Sequence, residues 1–201
     1  MADLHLIFAD DVRDDRIFVE LRAGREAWGE VWVDPGSAHV LVTFVPQPAY
    51  LSRSFSRAEW MLMAKKGMTY DQLRPPVPNP ARTWVFPWDE TVRSLGEART
   101  SILAWEADLV AWDIQPPPQP PVTDPRAIGR PALGPPGSAD AVAGVPLLGG
   151  EERWGRVWRD KTAGWTLVEL WPPESPLLIF PLDDLLAVLE EARRLVEGGT
   201  D

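Results

Sequence analysis

Glu26-Ala27-Trp28-Gly29-Glu30-Val31-Trp32-Val33-Asp34 returns later in the chain as Glu152-Arg153-Trp154-Gly155-Arg156-Val157-Trp158-Arg159-Asp160. The offset is 126 residues, and Leu41-Val42 against Leu167-Val168 and Pro46 against Pro172 keep it. Nine of the 21 positions from 26 to 46 are identical, where chance at average composition gives about one or two. A second block follows at an offset of 94. Phe86-Pro87-Trp88-Asp89 matches Phe180-Pro181-Leu182-Asp183, and Leu95, Glu97, Ala98 and Arg99 match Leu189, Glu191, Ala192 and Arg193. The two offsets differ by 32 residues, the size of an insertion in the first copy. Self-similarity of this kind decides the fold before any single element does.

Positions 28–33 and 39–45 are rich in β-branched and aromatic residues, and Asp34-Pro35-Gly36 between them is turn chemistry. The second copy turns through Asp160 to Gly164. Short apolar strands follow at 83–86 and 177–180, ended by Pro87 and Pro181, and a helix begins near Asp89 or Asp183, residues suited to an N-cap. Val92, Leu95, Ala98, Ile102, Leu109 and Trp112 form one apolar stripe at helical spacing, as do Leu182, Leu185, Leu189, Ala192 and Val196. One such unit has too little apolar face to stand alone.

The sequence therefore predicts an α+β fold. It is an internal duplication of a β-hairpin–strand–helix unit, with antiparallel sheets and one long helix each in a pseudo-two-fold arrangement. Each copy is expected as a three-stranded sheet followed by its helix, with Trp28 over Trp154 and Asp89 over Asp183. Further strands are expected at 4–8 and 16–21, and a weaker one at 141–148. Residues 1–113 form the first repeat with a 49–82 insertion, 114–139 a Pro-rich linker, and 140–201 the second repeat. The run from Gln115 to Pro121 favours polyproline II and suits a semi-rigid spacer.

Composition narrows the function classes. Cysteine is absent, which excludes disulfides, a thiolate nucleophile and zinc held by sulfur. No apolar run approaches the roughly 18 residues of a membrane span, and Met1-Ala2-Asp3-Leu4-His5 lacks the pattern of a signal peptide. A cytoplasmic protein with no membrane contact is expected. Net charge is −10; residues 1–113 hold 12 basic and 17 acidic side chains and the remainder 8 and 13, so each half is at −5. Neither half has the positive footprint of a phosphate-binding protein, so nucleic acid is not expected as a partner. Another protein with a basic surface is expected instead. The chain is expected as a monomer with pseudo-dimeric repeats or as a homodimer.

Aromatic residues suggest two sites. Strict alternation places Trp28, Glu30, Trp32 and Asp34 on one strand face, and Trp154, Arg156 and Trp158 on one face of the second copy. Trp28, Trp32, Trp154 and Trp158 are thus a candidate aromatic platform of the kind that stacks bases. Packing between the copies uses Trp at matched positions equally well, and that reading takes precedence. In the insertion, Ser56 and Glu59 make a capping-box pattern ahead of an apolar run, and Trp60, Met61, Met63, Lys65 and Lys66 are candidate partner-binding residues.

Catalytic signatures are weak. His5 and His39 are the only histidines, no glycine-rich phosphate loop occurs, and the acidic turn Asp10-Asp11-Val12-Arg13-Asp14-Asp15 lacks the alternation, glycine and closing glutamate of a calcium loop. No enzyme activity, cofactor or metal is expected.

The order hairpin, strand, helix, present twice, resembles the layout of whirly-type single-stranded-DNA-binding proteins and related transcriptional coactivators. That resemblance implies a curved sheet, with a helix at the interface between units. Two readings of function follow. The first is a non-enzymatic protein-binding module, of the immunity- or antitoxin-like kind that inhibits a basic partner. The alternative is a single-stranded nucleic-acid-binding protein of whirly-like topology.

Overall fold

A computed structural model of the chain describes residues 4–11, 16–24, 26–44, 61, 65–67, 83–111, 128–135, 144–171 and 178–198, with backbone alone at 9–11, 16 and 109–110. Four strands come first: β1 (Leu4–Asp11), β2 (Arg16–Ala23), β3 (Glu26–Val33) and β4 (Val40–Phe44). β5 (Trp84–Pro87) runs directly into helix α1 (Trp88–Ala111). The second half has β6 (Pro131–Leu133), β7 (Val145–Gly149), β8 (Glu152–Asp160), β9 (Trp165–Leu170), β10 (Leu178–Pro181) and helix α2 (Leu182–Gly198).

The described strands form two antiparallel five-stranded sheets, each followed by a helix. The first has the order β1-β2-β3-β4-β10 and the second β5-β9-β8-β7-β6. Each sheet is therefore closed by the third strand of the other copy. Leu178 pairs with Phe44 and Pro181 with Leu41, while Trp84 pairs with Leu170 and Pro87 with Leu167. These are equivalent positions under the two offsets, so the exchange is symmetric. The expected three-stranded sheets, each built from one copy, are thus corrected to sheets that share strands. The exchange also explains how two small units become stable, since neither sheet is complete without the other copy.

The repeat is longer than its identical residues. Leu21 faces Gly29 as Leu147 faces Gly155, and both ladders shift register immediately after that leucine. Leu6 opposite Leu21 and Leu133 opposite Leu147 extend the match to the outermost strands. The extra strand of the second copy lies at Val145–Gly149 rather than 141–148, and β6 joins it. Gly24 and Gly150, at φ 62° and 66°, turn the hairpins that lead into β3 and β8.

One core joins the copies. Trp28, Phe44 and Phe86 pack in it with Trp154 and Phe180. The ring centroids of Trp28 and Phe86 lie 5.2 Å apart, those of Trp154 and Phe180 5.3 Å, and Phe44 stacks on Trp154 at 5.0 Å. The helical stripes behave as their spacing requires: Leu95, Ala98 and Ile102 of α1 and Leu182, Leu185, Leu189 and Ala192 of α2 are buried. Both helices begin one residue before Asp89 and Asp183, so these carboxylates sit in the first turn instead of capping. There they face the positive end of the helix dipole and the opposite helix. Asp89 meets Arg193 at 3.3 Å and Asp183 meets Arg99 at 2.9 Å, the reciprocal contacts that two-fold symmetry demands. None of the described helices is long and apolar enough to cross a membrane.

Candidate nucleic-acid interface

A β-bulge decides which aromatic residues face the core. Leu21 pairs with Gly29 and Arg22 with Ala27, leaving Trp28 as the extra residue; Trp154 has the same place between Arg153 and Gly155. The extra residue breaks strict alternation. Trp28 and Trp154 turn inward and are buried, whereas Trp32 and Trp158 lie on the outer faces of their sheets. The expected four-residue platform is therefore not one surface. The Trp-Gly pair repeated in both copies has a physical reason here: a Cβ at Gly155 would collide with the carbonyl of Glu169, and one at Gly29 would lie 3.1 Å from the carbonyl of Thr43.

The outer face of the second sheet carries the site. Val168 and Leu170 of β9 point into the core, so Trp165, Leu167 and Glu169 point away from it, with Trp171 just beyond the strand end. On β8, Arg156 and Trp158 share that face, because Val157 between them is fully buried. Arg156 stands directly opposite Glu169, and Trp158 opposite Leu167. The Arg156 Nε donates to Glu169 Oε2 at 2.6 Å, and Nη2 meets the same oxygen. Trp171 Nε1 donates to the other carboxylate oxygen at 3.0 Å. The guanidinium carbon lies 5.8 Å from the Trp158 ring and 5.9 Å from the Trp171 ring, within cation–π range of both. Trp165 is 47% exposed, and Val85 on the neighbouring edge strand β5 is also exposed.

The corresponding face of the first sheet is closed. Glu30, Trp32, Leu41 and Thr43 stand where the second copy has Arg156, Trp158, Leu167 and Glu169, and all four are buried. Trp32 Nε1 donates to Thr43 Oγ1 at 3.1 Å. Glu20 lies opposite Glu30, and burial raises its pKa above the ordinary carboxylate range, an effect that Arg22, 3.0 Å away, partly opposes.

Of the candidate partner-binding residues, Met61, Lys65 and Lys66 are exposed, and Trp60 and Met63 lie outside the described residues. So do Val12 to Asp15 of the acidic turn. No group of three or more His, Asp or Glu side chains able to hold a metal ion occurs among the described residues. Sequence reasoning had Arg156 and Trp158 on one face but missed Trp165, Glu169 and Trp171. Their even spacing, four and then two residues apart, was the available signal.

No family model, curated protein or solved structure matches the chain. The pseudo-symmetric architecture of two sheets and two helices resembles the whirly-type layout, in which single-stranded nucleic acid is bound. With the exposed indole of Trp165 on an outer sheet face, this corrects the expectation that nucleic acid is not a partner. Net charge sums formal charge over the whole chain. It carries no information on which face presents indole rings, and stacking on a ring needs no positive charge.

Proposed function

We propose that the protein is a non-enzymatic single-stranded nucleic-acid-binding protein whose platform is the outer face of the second sheet. The observation that carries this reading is Arg156 within reach of the Trp158 and Trp171 rings, with the exposed Trp165 further along β9, on a sheet face that the described residues leave partly open. Both helices pack on the other side of the sheets, so among the described residues no helix covers that face. Indoles accept any base, because every base has a π-face, and a guanidinium held between rings adds a cation–π component. A duplex hides its base faces and is not a ligand for such a surface. Among the described residues no feature favours the inhibitor reading.

Titration of a labelled oligothymidine, followed by anisotropy and by intrinsic fluorescence, tests this. Saturable binding with quenching is expected, together with no binding of a duplex of matched length. Replacing Trp165 by Ala should weaken binding by about 1–3 kcal/mol, the usual worth of one stacked base. Absence of both signals at millimolar oligonucleotide would remove the proposal.

A further inference from the structure

We infer that Glu169 sets the specificity of this platform by cancelling the charge of Arg156, so that the surface reads unpaired bases and takes almost nothing from phosphates. The inference rests on the nucleic-acid reading above and names how that reading is executed.

The geometry is unusual for a strand-binding face. Arg156 is the cation placed between the indoles, and two of its nitrogens, Nε and Nη2, are directed at one oxygen of the residue opposite it in the ladder. The side chains of the pair are only 21% and 14% exposed, so water screens their attraction weakly. The indole N–H of Trp171 donates to the second carboxylate oxygen, so both oxygens of Glu169 are engaged. Arg156 is thus oriented against the rings, yet the pair has no net charge. Elsewhere the chain repels polyanions, at −10 overall. A phosphate approaching Arg156 meets Glu169 beside it, whereas a base approaching the exposed Trp165 meets an indole. The first copy has no such pair, since Glu30 and Thr43 occupy its two positions.

The experiment is a salt series on the full chain with oligothymidine, repeated on the Glu169→Gln variant. For the wild-type chain we expect affinity to change less than about twofold between about 50 and 200 mM salt, because no phosphate charge is neutralised. Glu169→Gln keeps an acceptor opposite Arg156 and frees its charge. The variant should bind severalfold tighter at low salt and lose about 2.5-fold over the same range, the slope for one phosphate contact on a single strand. A thermal melt reports whether the variant is folded; if it is not, the wild-type series decides alone. Wild-type affinity that falls tenfold or more across that range overturns the inference, as does a folded variant with unchanged affinity and slope. Either result leaves single-strand binding itself standing. Only the absence of binding and quenching at any salt concentration would defeat the parent reading instead.

Discussion

The outer faces of the two sheets have the same backbone, the same ladder positions and different fates. In the first, Trp32 is 4% exposed with its indole N–H on Thr43, and Phe18, Leu41 and Ile179 pack around it. In the second, Trp158 is only half-buried, Gly144 stands where Phe18 does, and Trp165 replaces His39. Duplication gave the chain two copies of one surface. The first is buried and adds to the packing of its sheet, whereas the second carries the exposed Trp165.

The sharpest way to break this comparison is to truncate the matched indoles. Trp32→Ala should destabilise the fold by about 3–5 kcal/mol, the range for a buried Trp. Trp158→Ala should stay below about 2 kcal/mol and lower oligonucleotide affinity, because partial exposure reduces the area lost. Chemical denaturation of both variants checks the pair, and equal losses would mean that the second face is as structural as the first.

The bulge glycines offer a narrower test. A Cβ at Gly155 meets the carbonyl of Glu169, which is backbone and cannot move cheaply, whereas the contact at Gly29 is looser. Gly155→Ala should cost about 3 kcal/mol and Gly29→Ala about 1 kcal/mol, the span for overpacking in a close-packed core. Urea midpoints of the two variants read the difference directly.

At the hairpin turns the inequality reverses. Ala38 adopts φ 56° where the second copy has Gly164 at φ 74°, and each donates its N–H to the carbonyl of the turn aspartate, Asp34 or Asp160. A left-handed alanine is strained. Ala38→Gly should stabilise by about 0.5 kcal/mol and Gly164→Ala destabilise by about 1 kcal/mol, seen as opposite shifts in melting temperature.

The smallest effect concerns Glu20, whose counterpart is Pro146. Its pKa is raised by burial, so the folded state binds its proton more tightly than the unfolded state does. The contribution of this group is therefore full at acidic pH and is lost as pH rises above the ordinary glutamate range. Glu20→Gln should remove that decline, so the stability of the variant relative to wild type should rise with pH. A difference that falls with pH would show that Arg22 outweighs burial.

Much of this was legible from residues alone. The duplication was visible because equivalent positions do equivalent work: Leu95, Ala98 and Ile102 repeat the burial of Leu189, Ala192 and the turn that follows. The Asp-led turns were visible because short-range hydrogen bonds make them, Ser37 to Asp34 and Thr162 to Asp160. The platform was legible only in part. Counting by twos from Trp32 backwards puts Trp28 on the wrong face, since one inserted residue reverses every assignment beyond it.

The sequence by itself determined that there are two units, where the hairpin, third strand and helix of each lie, and which helix faces are apolar. These follow from turn chemistry and periodicity, which act over a few neighbouring residues. Only the tertiary structure decided that β5 closes the second sheet and β10 the first. A four-residue apolar strand fits either hairpin edge, and the choice falls to the packing of Phe86 on Trp28 and of Phe180 on Trp154 across the shared core. Tertiary packing also decided the outer faces: Phe18, Ile179 and Ile128 cover Trp32 on the first sheet, whereas the described residues leave the face with Trp158 and Trp165 partly open, because Gly144 stands in the place of Phe18.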